Sequence, residues 1–269
     1  MRDILKMGDI GQDISDLQAD LRRAGFDVPA TAVYDEATRD AVATLQQARG
    51  LVVDGRYGPK SRSALAGFDT SRMLRESDLI TAADRLDVPL ASIKAVNEVE
   101  SNGRGFLADG RPAILFERHV FWRQLLAHGI DPAPHAALRP SIVNQTRGGY
   151  AGGAAEYTRL AAAAQICAPA AQEAASWGAF QIMGYHWEAL GFAGIETFVA
   201  TQSRSEGDQL ATFVAFVLAD PALHRALKGR KWAQFARAYN GPAYAENLYD
   251  VKLARAYERF AGANAGGQA

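Results

Sequence analysis

Two carboxylates stand one residue apart in N-E-V-E-S, residues 97–101: Glu98 and Glu100. A carboxyl group that stays protonated near neutral pH can donate its proton to the leaving oxygen of a glycosidic bond. Whether either residue can do so depends on the element that carries it. Pro89 can start a helix that runs to about Ser101. On a wheel of roughly 100° per residue, Leu90, Ile93, Val96 and Val99 share one broad arc. Glu100 falls inside that arc, between Ile93 and Val96. Glu98 falls outside it, four residues after Lys94, where an ordinary surface pair accounts for it. A carboxylate on an apolar face at a helix C-terminus gains nothing from the helix dipole, and desolvation should raise its pKa. The wheel alone fits a catalytic acid and a buried glutamate paired with an arginine or tyrosine equally well.

Two later stretches carry further candidates. S-W-G-A-F-Q-I-M-G-Y-H-W, residues 176–187, mixes aromatic rings with Ser176, Gln181 and Tyr185. Rings with a few fixed polar groups suit a sugar, which stacks through its C–H faces and hydrogen-bonds through its hydroxyls. A packed core segment has the same composition. In F-A-R-A-Y-N-G-P-A-Y, residues 235–244, Tyr239 and Asn240 end one helix before Gly241 and Pro242 break the chain. Alone, this reads as a helix–turn–helix joint.

The elements around these residues read as mainly α, in two parts. Residues 1–68 are expected to form a small three-helix domain. Ile14, Leu17 and Leu21 recur at helical spacing before Gly25; Asp35 can cap a helix ending at Gly50; Pro59 can open a third. VYDEATRDAV (33–42) repeats weakly as RYGPKSRSAL (56–65), pairing Tyr34 with Tyr57 and Thr38 with Ser61. Residues 69–78 are polar and are expected to be a linker. Residues 79–262 are expected to form a larger helical domain, with Leu210, Phe213, Val214, Val217 and Leu218 as one apolar stripe. Residues 129–153 read as a long Pro- and Gly-rich connection, and 263–269 as a flexible tail.

Composition excludes several classes. The net charge of −1 supplies no bulk attraction for nucleic acid or an anionic membrane. A single cysteine, Cys167, rules out an internal disulfide and a multi-cysteine metal site. The five histidines show no H-E-x-x-H or comparable close pair, so neither a metal nor another cofactor is expected. The N-terminal stretch lacks a signal peptide's uninterrupted apolar core, and no apolar run approaches a membrane span. Synthesis in a cytoplasm, without stable membrane association, is therefore expected.

Taken in order, Glu-Ser at a helix end, G-x-x-Q-I-M and A-Y-N-G resemble the lysozyme-like superfamily of goose-type lysozymes and soluble lytic transglycosylases. The match is closer around VESNGRGFLADGRPAILFERHVFWRQL (99–125) and GGYAGGAAEYTRL (148–160). These resemble the N-acetylmuramidase domain of modular phage endolysins. Residues 9–66, with V-D-G-x-x-G-P at 53–59, resemble the peptidoglycan-binding domain found with it. The resemblance implies a lysozyme-like helical catalytic fold. It implies Glu100 as catalytic acid and Gln181, Tyr239 and Asn240 in the sugar cleft. It also implies action on peptidoglycan in the periplasm once a holin has opened the membrane, and a monomer is expected. Asp54, Gly55, Tyr57 and Gly58 are the candidate wall-binding turn, and a purely folding role suits them equally.

The pattern departs at the second carboxylate that glycosidases commonly use. Asp109 follows Glu100 by nine residues, but it sits in the turn signal L-A-D-G-R-P. Glu117, in L-F-E-R-H-V-F, is the other candidate, and an ion pair with an arginine explains it as well. Hydrolysis by water and attack by the muramic 6-hydroxyl, which gives a 1,6-anhydro product, both remain open. The closeness to phage muramidases favours hydrolysis. A wall-binding protein without catalysis is the alternative of a different class.

Overall fold

A computed structural model describes residues 3–101 and 105–265, less the side chains of 242–243 and 263–265. The chain divides into two compact units, Met1–Ile80 and Thr81–Ala269. The first contains α1 (Gln12–Arg23), α2 (Glu36–Ala48) and α3 (Pro59–Leu65). Ile14, Leu17 and Leu21 of α1 are buried against Tyr34, Val42 and Tyr57. The Asp35 carboxylate caps α2 by accepting the Thr38 amide at 2.9 Å. Gly25 and Gly50 follow α1 and α2 with φ of 92° and 68°, values that favour glycine.

The sequence repeat of this unit is also a repeat of hydrogen bonds. Gln18 Nε2 donates to Thr31 Oγ1, the Val33 carbonyl and Thr38 Oγ1. Gln46 Nε2 donates to Asp54 Oδ1, the Arg56 carbonyl and Ser61 Oγ. Each acceptor of the second set lies 23 residues after its counterpart. Gln46 Oε1 also accepts the Asp54 and Gly55 amides. Gly55, at φ 64°, leaves no room for a side chain, since a Cβ would stand 2.8 Å from Arg39 Cγ. The Tyr34 hydroxyl donates to the Gly55 carbonyl at 2.8 Å. Asp54 and Gly55 therefore serve the folding of their own turn, and Tyr57 is buried in the core beneath it.

The stretch expected as a linker is part of this framework. Leu51 bridges to Arg75, Glu76 accepts the Val53 amide at 2.9 Å, and Leu74 is buried. α4 (Glu76–Leu86) begins there, and the division between the units falls inside it. A polar sequence without periodicity had concealed these anchors.

The second unit is helical around one small sheet. α5 (Leu90–Glu100) leads to β1 (Ile114–Phe116), α6 (Arg118–Ala127), α7 (Ala133–Leu138), α8 (Ala155–Ala164) and α9 (Ala168–Glu173). β2 (Ala175–Trp177) and β3 (Ile182–Met183) follow, then a 3-10 turn at Gly184–His186. α10 (Ile195–Gln202), α11 (Glu206–Ala219), α12 (Pro221–Lys228), α13 (Trp232–Asn240) and α14 (Tyr249–Ala265) complete it. The sheet is antiparallel in the order β1-β2-β3, with Leu115 opposite Ser176 and Ser176 opposite Met183. On α11, Leu210, Phe213, Val214 and Val217 are buried as the stripe requires, but Leu218 is exposed. α14 runs to Ala265, further than the expected tail allows; residues 266–269 lie outside the described residues. Among the described residues, no single helix is long and apolar enough to cross a membrane.

The 129–153 connection contains α7 and is tied down from two sides. Arg118 donates to the carbonyls of Pro140, Thr146 and Arg147. Glu156, on α8, accepts the amides of Ala151 and Gly152 at 2.6 and 2.9 Å. Its other oxygen takes the Arg159 guanidinium at 2.7 Å and the Phe116 amide at 3.2 Å.

Candidate active site

Glu100 is the last residue of α5 and is only 9% exposed, whereas Glu98 faces outward. The wheel separates them correctly, but it misses a partner of Glu98. Glu98 pairs with Arg259 of α14, and the Lys94 ammonium lies over the Phe260 ring of the same helix. Burial pushes the Glu100 carboxyl up to about 7, against the lowering pull of the Asn240 amide and the Lys252 cation. Asn240 Nδ2 donates to Glu100 Oε1 at 2.9 Å. Among the described residues the carboxyl thus has one fixed side-chain donor, and it has a raised affinity for its proton. Residues 102–104, just beyond it, lie outside the described residues.

Tyr239 and Asn240 are adjacent at the end of α13, and Gly241 at φ 80° stops the helix there. The Tyr239 hydroxyl donates to the Phe180 carbonyl at 2.6 Å. Burial raises the Tyr239 phenol well above its ordinary pKa, and the neighbouring Glu100 charge adds to this. Its ring packs against Phe213, Phe216 and Phe235. The A-Y-N-G stretch therefore delivers one side chain to Glu100 and the other to the β2–β3 turn.

That turn is Gly178–Gln181. Ser176 Oγ donates to Gln181 Oε1 at 2.7 Å, and Gln181 Nε2 donates to the Gly178 carbonyl at 2.8 Å. Gln181 itself holds φ 50°, unusual for a non-glycine residue, and these bonds support it. Tyr185 is 38% exposed on the following 3-10 turn and packs on His186, which meets Phe216 edge-on. Glu100, Tyr239, Asn240, Gln181 and Ser176 thus belong to one neighbourhood joined through the Phe180 carbonyl. Tyr185 reaches it through a chain of rings.

The two other carboxylates are engaged elsewhere. Asp109 takes the Arg111 side chain at 3.0 and 2.6 Å and its amide at 3.1 Å, which holds the Asp109 carboxyl below the usual carboxylate range. Glu117 is buried before α6. Its carboxylate accepts the Tyr150 hydroxyl at 2.8 Å, the Arg147 guanidinium at 3.4 Å, and lies 3.2 Å from His119 Nδ1. Asp109 holds the turn that its local sequence signals, whereas the arginine of Glu117 comes from 30 residues further along the chain.

Sequence reasoning passed over Glu206 and Gln209, which stand on the first turn of α11 and are buried. Glu206 Oε1 accepts the Gly105 amide at 2.8 Å. Gln209 Nε2 donates to the Gly105 and Gln202 carbonyls, and Oε1 accepts the Ala179 amide at 2.8 Å. A Cβ at Gly105 or Gly178 would stand 2.2 or 2.6 Å from the Gln209 side chain, so both glycines are required by close approach. The available signal was a polar first turn, with Glu206, Asp208 and Gln209, opening a mostly apolar helix. Glu173 was also missed: it accepts Trp187 Nε1 at 2.9 Å and lies 2.7 Å from His128 Nε2, anchoring the segment after β3.

A family profile described as N-acetylmuramidase matches residues 89–261, and one described as a putative peptidoglycan binding domain matches residues 10–65. The chain belongs to the N-acetylmuramidase family. That makes it, by family, a glycoside hydrolase of bacterial peptidoglycan with a peptidoglycan-binding domain before it. The crystal structure of a Burkholderia AP3 phage endolysin is similar to this chain at 55% identity. Its TM-score is 0.91, and the match covers 98% of this chain and 100% of that one. Two curated relatives from Bacillus licheniformis match over shorter stretches. The N-acetylmuramoyl-L-alanine amidase CwlL is 40% identical over 72 residues, and a probable N-acetylmuramoyl-L-alanine amidase is 39% identical over 71. These stretches are 26% and 25% of this chain, which spans about a fifth (20%) of the length of each amidase.

Proposed function

We propose that this protein is an endolysin that cleaves the β-1,4 bond between N-acetylmuramic acid and N-acetylglucosamine, with Glu100 as general acid. The observation that carries the reading is a buried carboxyl group with a pKa of about 7 inside a muramidase-family domain. Such a group is still about half protonated at neutral pH and can hand its proton to the glycosidic oxygen. Asn240 fixes one carboxyl oxygen, and the other is proposed to face the leaving group. As the proton departs, the Asn240 amide and Lys252 stabilise the carboxylate that forms. Gln181, Ser176, Tyr185 and Tyr239 are proposed as the sugar-facing surroundings.

Water is proposed as the nucleophile. The match to the N-acetylmuramidase family supports this choice over the transglycosylase reaction. Asp109 and Glu117 are both held in ion pairs, so the reading rests on one acid. Mass spectrometry of the released muropeptides tests it: reducing muramic acid ends are expected, and 1,6-anhydro ends would assign the transglycosylase reaction instead.

The remaining parts follow from that role. The enzyme is proposed to act as a monomer, to be made in the host cytoplasm, and to reach the periplasmic wall once a holin permeabilises the membrane. Residues 1–68 are proposed to hold it on the wall. Deleting them is expected to lower turnover of whole sacculi while leaving cleavage of short muropeptides unchanged, measured as product released by each substrate. Equal losses on both substrates would make that segment part of the catalytic fold.

A further inference from the structure

We propose that Gln209 is a positioning residue for Glu100, acting through the β2–β3 turn and the Tyr239–Asn240 pair. The inference rests on the assignment of Glu100 as the acid.

A continuous set of contacts joins the two residues. Gln209 Oε1 accepts the Ala179 amide at 2.8 Å. The next residue, Phe180, receives the Tyr239 hydroxyl on its carbonyl at 2.6 Å. The residue after Tyr239 is Asn240, whose amide reaches Glu100 at 2.9 Å. The other side of the Gln209 amide donates to the carbonyls of Gly105 and Gln202. Gly105 is five residues beyond Glu100, and its amide is held by Glu206 on the same helical turn. One buried amide therefore holds both the turn that sets Tyr239 and Gly105.

The packing explains why an amide side chain suits this place. Glycines at 105 and 178 let Gln209 approach closer than any side chain would permit. Its side-chain partners among the described residues are backbone groups, two acceptors and one donor, and a side-chain amide supplies both kinds of complement. A carboxylate would lose the two donations, and an apolar residue would lose all three bonds. The turn would then be free to shift, and the Tyr239 hydroxyl with it. A displacement of about 1 Å at a remote supporting contact can reduce turnover by about 10²-fold. The direction of the pH effect also follows. The Asn240 hydrogen bond favours the charged form of Glu100, so slackening it moves the alkaline limb of the kcat profile upward.

The test is a double-mutant cycle on the full chain with soluble peptidoglycan fragments as substrate. It uses Gln209→Met, Tyr239→Phe, their combination and Glu100→Gln, with kcat per folded molecule and KM read across pH. Gln209→Met is expected to lower kcat about tenfold with KM within about twofold, and to shift the alkaline limb upward. Tyr239→Phe should do the same. The combined variant should lose little more than the worse single one, because both cut the same connection. Multiplicative losses would overturn the proposal. So would a Gln209→Met enzyme that only melts earlier, with kcat and pH limb unchanged. If that variant does not fold, Tyr239→Phe decides, and an unmoved pH limb overturns the proposal. Glu100→Gln separates the two layers. Retained turnover there removes the assignment of the acid itself, whereas an inactive Glu100→Gln beside an unaffected Gln209→Met removes only the positioning role.

Discussion

Glu100→Gln is expected to lower turnover by roughly 10²–10⁴-fold while leaving the fold and wall binding in place. The substitution is nearly isosteric. Its amide oxygen can still accept the Asn240 hydrogen bond that Glu100 Oε1 accepts now. What it removes is the transferable proton. A catalyst that needs this proton should therefore fail in kcat with little change in KM. Steady-state cleavage of muropeptides and a sacculus pull-down measure the two halves. A non-catalytic wall-binding protein would be indifferent to the change.

The same substitution should affect stability with the opposite sign. In the folded chain Glu100 titrates at about 7 against an ordinary value of 4.5. A pKa raised by folding means that the group's contribution is fully present below pH 4.5 and is lost as pH rises to 7. At pH 8 the wild-type protein carries a buried charge that Glu100→Gln lacks. The variant should then be more stable by up to about 3 kcal/mol.

Glu156→Ala is expected to destabilise the second unit by roughly 3–5 kcal/mol, the usual result of breaking a buried ion pair from one side. Glu156 is fully buried and Arg159 nearly so. Removing the carboxylate strands the guanidinium and leaves the amides of Phe116, Ala151 and Gly152 without their acceptor. Burial alone would raise the Glu156 pKa, yet the Gly152 amide, Arg159 and the Ala151 amide together hold it below the usual range. Its contribution is therefore present above the unfolded carboxylate pKa and is lost as pH falls through the depressed value. For a unit of this size the melting temperature should drop by about 6–20 °C, as calorimetry would record. Glu156→Leu with Arg159→Met should recover only part of the loss. That pair removes the stranded charge but not the orphaned amides.

The helices were legible because their signals are local. Asp35, Gly25, Gly50 and Pro59 cap or open helices from within one turn, and the Ile93–Val96 arc is visible in eleven residues. Placing Glu100 inside that arc needed no tertiary information. The 23-residue repeat was also readable, although its meaning was not. Gln18 and Gln46 lie outside the aligned segments and 28 residues apart, so the alignment could not show that they serve equivalent turns. The sheet was illegible because strands of two and three residues are too short for an alternating pattern. Its turn is held by Gln209, some 30 residues away. The partner of Glu98 lies 161 residues along the chain, and only folding brings it near. Motif resemblance supplied the identity of the neighbourhood, while the carboxyl–amide geometry within it came from the structure.

The dependence of kcat/KM on pH tests the central claim most directly. If Glu100 acts as the acid, kcat/KM on soluble muropeptides is level below its pKa and falls about tenfold per pH unit above it, with the midpoint near 7. A rate that instead climbs through neutral pH, as for a carboxylate that must be ionised, would contradict the account.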